Sequence, residues 1–515
     1  MSGTDYYLGG NTISFWSIGI STMATQCSTT SLLGAPAFVI AVGGLTWLQY
    51  ELAVPLAMIA TMTLLVPFFR KQGVVSVYEY LELRFGVYTR TLLSVLFQIL
   101  RAFATGSLVY GISIVLQQLL SIPFWSAVLL LGTVTLIYDY FGGMAAVVYS
   151  DVIQMILLYG GIILCLVYSI KALGGVDQVI EFFPKQNFQS LEFSSHGLGD
   201  YNGGKAPFLA MFFGGLFLYM SYYGCDQSQV QRELSTKNID DTNYSLVLNG
   251  FLRFPLVVTY CLLGVTIGAY LTAHPEFVKN LIPAQETKPN YNLAVPMFVL
   301  LKLPHGVIGL VFVALFAAAM SSLDSVINSL SATTMRDIYE RFLAGEGLTE
   351  KKQLYLSRLF TIFWGVVCIT FAFFVGGISK SIIESINKIS SLMNGPILAT
   401  FLLAILTKRT NDLGALLGVV AGFAVNAYLW IAVDSIHWMW WNVIGCVVTF
   451  AVAYITSLFI GTAKPEKDIE GLVWQKNTQK LFDYKVNWKK YYLLLILYTF
   501  MIIGICYFFS MLSHS

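Results

Sequence analysis

Apolar runs long enough to cross a lipid bilayer recur from one end of this chain to the other, and no water-soluble fold could bury them all. A hydrocarbon core about 30 Å thick takes roughly 20 helical residues. Thirteen runs of that order lie near 13–38, 43–69, 91–119, 124–141, 149–170, 207–226, 244–272, 305–333, 356–376, 382–406, 411–433, 437–461 and 491–511. Even the longest connections, 171–206, 273–304, 334–355 and 462–490, leave no room for an aqueous domain. Charged residues make up 11% of the chain, where soluble domains carry roughly 25%. In lipid the backbone must satisfy its own hydrogen bonds, in helices or closed barrels, and runs of this length predict helices. The expectation is an all-α integral membrane protein of about 13 transmembrane helices.

Other classes lack their signatures. The seven cysteines stand singly and the five histidines are dispersed. Without CxxC, HExxH, a P-loop or GxSxG there is no sign of a disulfide framework, a zinc site, an organic cofactor or a nucleophile–base pair. An enzyme is not expected, and a net charge of +2 offers little to a nucleic-acid partner. The start of the chain lacks the charged region and cleavage site of a signal peptide, so the first spans are expected to direct insertion.

Lysine and arginine set orientation. Connections after spans 2, 6, 8, 10 and 12 hold 20 of them, Arg84, Arg232 and Arg336 included. The opposite side holds seven: Lys171, Lys185, Lys205, Lys279, Lys288, Lys302 and Lys380. The 20-rich side is read as cytoplasmic, which puts the N-terminus inside and the C-terminus outside a multi-pass protein of the cell (plasma or inner) membrane. Residues 1–12 are read as a cytoplasmic segment, 13–406 as the core of the fold and 407–515 as additional C-terminal helices.

Polar groups inside spans are costly, roughly 2.5–3.5 kcal/mol or more for an ionisable side chain at the bilayer centre, and so mark cavities or partners. In the eighth span Ala318, Ser321, Ser322 and Ser325 share a face at helical spacing, extended by Asp324 and Asn328. Hydroxyls with one carboxylate suit a hard cation, which takes oxygen ligands; serines also serve as packing glue between helices. In the first span small polar residues run from Thr25 to Ser31, with Gly34 and Pro36 beyond. The sixth carries Gly214, Gly215 and a polar run from Ser221 to Gln231. Two broken segments five spans apart predict a five-plus-five inverted repeat with a site at the membrane midplane. Glu51 and Arg101 fit either a mutual ion pair or a polar substrate site. Lys388 could join that site or snorkel to the surface. Asp151 suits a helix N-cap or a functional role, and Arg253, close to a helix end, is read as structural.

Several motifs in order resemble the sodium/solute symporter family, which includes the sodium/glucose and sodium/sialic acid cotransporters. They are DYYLGG at 5–10, PFFRK at 67–71, YEYLELRFG at 78–86, FGGMAAVVYSD at 141–151, DQSQVQR at 226–232, AAAMSS at 317–322, NGP at 394–396 and TKR at 407–409. The resemblance implies alternating access of a ten-helix inverted repeat, driven by a sodium gradient. It implies a first sodium site on backbone carbonyls of Ala24, Cys27 and Ala318 with the hydroxyls of Ser321 and Ser322. A second, as in sialic acid members, would use the positions of Asp151, Ser321, Ser322, Asp324 and Ser325. Substrate contacts implied by sugar-binding members fall on Gln26, Ser31, Glu51 and Lys388. Arg101 falls where sialic acid members bind a carboxylate. Asp139 and Asp324 depart from the pattern, standing where a small residue and a hydroxyl are usual.

The chain is therefore expected to be a sodium-coupled symporter that imports a small polar organic solute, a sugar or sugar acid such as sialic acid. Its partners would be that solute, sodium and the lipid bilayer. Alternatives are a proton-coupled, monocarboxylate or amino-acid symporter of the same fold, and a nutrient sensor that binds without translocating.

Overall fold

The computed structural model describes residues 2–27, 29–193, 206–282, 287–344, 348–374, 382–433, 435–475 and 482–513. Lys205, Lys380, Lys476 and Lys480, all counted for orientation, lie outside them. In chain order we label the principal helices α1 (Phe15–Gln26), α2 (Thr29–Ala41), α3 (Gly44–Gln72), α4 (Val87–Leu120) and α5 (Phe124–Leu173). Then come α6 (Phe208–Cys225), α7 (Gln227–Leu234), α8 (Ile239–Ala273), α9 (His305–Thr333) and α10 (Glu350–Phe374). The last four are α11 (Ile382–Leu406), α12 (Asp412–Ala432), α13 (Trp440–Phe459) and α14 (Trp488–Met511). Among the described residues, 11 helices are long and apolar enough to cross a membrane.

That count differs from thirteen for two reasons. The expected first span is split into α1 and α2, each too short alone. The expected fourth and fifth spans run together as α5, 50 residues long. A straight helix of that length would measure about 75 Å, more than twice the hydrocarbon core. Gly143 breaks it, with φ 54° and ψ −149°. Tyr138, before the break, bonds Asp324, and Asp151, after it, bonds Ser321. Those two α9 positions are about 4.5 Å apart along the helix, so the chain folds back at Gly143. A Cβ at residue 143 would lie 2.4 Å from the Tyr6 carbonyl oxygen, which leaves glycine as the residue that fits.

Both expected interruptions exist, the second within the polar run Ser221 to Gln231 and not at the glycine pair. α1 ends at Gln26, and Cys27 leaves helical geometry at φ −84°, ψ 66°. The second break is at Asp226, φ −83° and ψ 122°, whose carboxylate caps α7 by accepting from the Ser228 N–H at 2.8 Å. Gly214 and Gly215 stay helical. They serve close approach instead: a Cβ there would lie 2.5 Å from the Met439 carbonyl oxygen and 3.0 Å from that of Tyr50. From Ala317 to Thr333, α9 is buried almost throughout, and its largest contact is with α5. It is a central helix flanked by α1, α4, α5 and α10.

Candidate functional site

The two helix breaks and α9 converge on a cavity of about 160 Å³. Gln26 and Ser31 come from either side of the first break, Arg101 from α4, Tyr219 and Tyr222 from α6, Arg253 from α8 and Ser322 from α9. Trp47, Tyr50, Tyr260 and Trp438 supply aromatic walls, so the lining is apolar with a few polar groups, the usual make-up of a small-molecule site. The Gln26 side-chain oxygen accepts from Tyr223 Oη at 2.6 Å, and Ser31 Oγ donates to the Gln26 carbonyl at 3.4 Å.

Glu51 and Arg101 do not pair with each other. Glu51 is fully buried and takes two bonds from Arg253, Nε to Oε2 and Nη2 to Oε1, both 3.1 Å. Tyr219 Oη donates to it at 2.8 Å. Its carboxylate thus holds Arg253 in place and is not among the groups lining the cavity. Arg101 pairs with Asp226 at 3.4 Å, donates to Ser228 Oγ at 3.2 Å and packs on the Tyr222 ring at 5.4 Å. Asp226 therefore caps α7 and anchors Arg101 at once. Both arginines keep a buried N–H without a hydrogen-bond partner, Arg101 Nε and Arg253 Nη1. Lys388 is not among the lining residues. It lies near His437, whose imidazole is pushed down to about 3 by burial first and Lys388 second.

The hydroxyl stripe on α9 faces the end of α1. Ser322 Oγ lies 3.4 Å from the carbonyls of both Thr25 and Ala318. Thr25 Oγ1 and Ser325 Oγ are 3.0 Å apart. The last turn of a helix leaves carbonyls without intrahelical partners, and Ala24 and Cys27 flank Thr25, where this helix end meets Ser322 and Ser325. These are hard oxygen donors of the kind sodium takes. No group of three or more His, Cys, Asp or Glu side chains is placed to hold a metal among the described residues; the oxygens that meet between α1 and α9 are hydroxyls and a carbonyl.

Deeper along α9 the side chains bind one another. Asp151 is fully buried within α5 and is no N-cap. It accepts from Ser21 Oγ at 2.5 Å and from Ser321 Oγ. The guanidinium of Arg232, on α7, pairs with it at 3.2 Å, both side chains fully buried. Arg232 also donates to Ser21 Oγ at 2.8 Å and to Ser325 Oγ. An arginine thus bonds two of the residues expected to share a second sodium, Asp151 and Ser325. Asp324 accepts from Tyr138 Oη at 2.5 Å and from Ser325 Oγ at 3.1 Å.

Sequence reasoning missed Arg232, Arg253 and Asp226. Arg232 was counted with a connection's cations and Arg253 as structural. Only the halving of the sixth span at Asp226, which caps the second half, could have signalled that Arg232 lies on a buried half-helix.

Residues 6–422 match the model of the sodium:solute symporter family. The sodium/sialic acid symporter NanT of Aliivibrio fischeri is 29% identical over 467 residues, 88% of each chain. The sodium/glucose cotransporter of Vibrio parahaemolyticus is 28% identical, covering 91% of this chain and 86% of its own. Among solved structures, the substrate-bound outward-open state of a Na⁺-coupled sialic acid symporter superposes with a TM-score of 0.78 at 25% identity, over 90% of this chain and 93% of that one.

Proposed function

The chain belongs to the sodium:solute symporter family, and from that premise we propose that it couples sodium entry to import of a small organic anion, a sugar acid such as sialic acid. Sodium is the coupling ion of the family. The substrate class rests on one observation: Arg101 and Arg253 line the same cavity, each with an unpartnered buried N–H. Both guanidiniums are already held by carboxylates, so the cavity offers oriented donors on fixed forks. A carboxylate, which only accepts hydrogen bonds, can take both unpartnered N–H groups at once. The substrate named for NanT supports the same reading. The volume of about 160 Å³ is below the roughly 300–1,000 Å³ of typical ligand pockets, so a sugar acid enters as the helices around the cavity open.

The site residues then take these roles. Ser321 and Ser322, with the carbonyls of Ala24, Cys27 and Ala318, bind the coupling sodium and tie α9 to the end of α1. Arg101 and Arg253 hold the carboxylate; Gln26 and Ser31 contact the polar body of the solute. Glu51 positions Arg253. A ligand shifts a conformational equilibrium only by its differential affinity for the two states, so sodium must bind the outward state better than the inward one. We place the N-terminus in the cytoplasm and the C-terminus outside, with 13–406 as the transport core.

The test is competition. Sodium-driven uptake of radiolabelled sialic acid into proteoliposomes should be inhibited by sugar acids and much less by neutral sugars. Inhibition by neutral sugars alone would remove the anionic reading.

A further inference from the structure

A second groove opens where α11 ends. The helix stops at Leu406, and the chain passes through Thr407, Lys408 and Arg409 before α12 begins at Asp412. With Phe450 and Tyr454 of α13, these four residues line an open groove of about 370 Å³. It shares no residue with the cavity that holds Arg101 and Arg253.

One wall of the groove is apolar. Phe450 and Tyr454 are about one turn apart on α13 and half-buried, and Leu406 is exposed. Val447, Ile455 and Phe459 continue the exposed apolar surface of α13. The rim is cationic. Lys408 and Arg409 are exposed. Lys408 Nζ pairs at 3.2 Å with Glu466, itself largely exposed, and such surface pairs contribute little. Among the described residues neither the Arg409 guanidinium nor the Tyr454 hydroxyl has a hydrogen-bond or ion-pair partner. Asp412, the next acidic residue of the chain, is spent on Thr89.

Lys408 and Arg409 belong to the cation-rich side, which we place in the cytoplasm, and they stand at the end of a membrane helix. There the anionic lipids of the inner leaflet attract basic side chains. A guanidinium presents a planar fork that matches a phosphate, and a tyrosine hydroxyl adds a donor.

We propose that this groove binds one anionic phospholipid of the cytoplasmic leaflet. Arg409, Lys408 and Tyr454 Oη hold its phosphate, and its acyl chains lie along Leu406, Phe450 and the exposed face of α13. The inference rests on the orientation read from lysine and arginine, and uses neither the solute nor the coupling ion.

Native mass spectrometry of the detergent-solubilised full chain, titrated with phosphatidylglycerol or phosphatidylcholine of the same acyl chains, tests it. The wild type should hold one phosphatidylglycerol about twentyfold tighter than phosphatidylcholine, the effect of two basic residues near an anionic headgroup. Arg409→Gln and Lys408→Gln should each cut that preference to about fivefold. Lys171→Gln, an exposed cation at the end of α5, should leave it unchanged. Monodispersity on size exclusion shows that each variant is folded. Equal affinity of the wild type for the two lipids, an unchanged preference in either rim variant, or an equal loss in Lys171→Gln would overturn the proposal. So would displacement of phosphatidylglycerol by excess inorganic phosphate, which would make the groove a site for a free anion.

Discussion

Arg232 and Asp151 form an ion pair of 3.2 Å in which both side chains are fully buried. They come from two different helices, α7 and α5, and Ser21 of α1 bonds both. Removing one partner of such a pair leaves an uncompensated charge and costs about 3–5 kcal/mol. Asp151→Asn should therefore lower the melting temperature of the detergent-solubilised protein sharply. The double variant Asp151→Asn with Arg232→Met should recover part of that loss. Equal melting temperatures for the single variant and the wild type would mean that Arg232 is compensated elsewhere.

Arg253 owes its position to Glu51. A hydrogen bond to a charged group contributes about 1.5–3 kcal/mol, so Arg253→Ala should raise KM for an anionic solute about tenfold to a hundredfold. Arg253→Lys keeps the charge and loses the fork, and should restore only part. Glu51→Gln should raise KM less than Arg253→Ala while lowering stability. Uptake kinetics with purified protein in liposomes separate these outcomes.

The interface of α6 is set by glycine. A Cβ at 214 would meet the Met439 carbonyl at 2.5 Å, and one at 215 the Tyr50 carbonyl at 3.0 Å. Backbone cannot move aside as a flexible side chain can. Gly214→Ala should cost about 1–3 kcal/mol, the range of overpacked cores, and Gly215→Ala less. The order of their melting temperatures checks the account.

How much of this was legible follows from residue spacing. Helical periodicity put Ala318, Ser321, Ser322 and Ser325 on one face, and in the structure Ser322 and Ser325 do meet Thr25 across the first break. The first interruption was readable because small polar residues cluster there. The second was read from a glycine pair and the polar run Ser221 to Gln231; the glycines pack against neighbours, and the break is at Asp226, inside that run. Partners far apart in sequence were not readable. Glu51 finds Arg253 across 202 positions, and Arg232 finds Asp151 across 81. An arginine near a span's end looks the same in sequence whether it snorkels or turns inward. Arg84 shows the same point: fully buried, it donates to the carbonyls of Ala404, Thr407 and Thr410.

His437, in the connection between α12 and α13, supplies a pH dependence. Its imidazole is pushed down to about 3 by burial and by Lys388, and its Nδ1 accepts from the Met439 N–H at 3.3 Å, which requires the unprotonated nitrogen. The folded value lies below the unfolded one of about 6.5. The stabilisation is therefore full above about pH 6.5 and is lost as pH falls toward 3. Acidification from pH 7 to pH 5 should lower the melting temperature of the wild type more than that of His437→Gln.

Coupling is the central claim, and uptake under an imposed gradient measures it most directly. Proteoliposomes given an inward sodium gradient should accumulate radiolabelled sialic acid above its external concentration, and replacing sodium by choline should abolish accumulation. Ser322→Ala should shift the sodium concentration for half-maximal uptake upward. Accumulation that is the same with and without sodium would contradict the account.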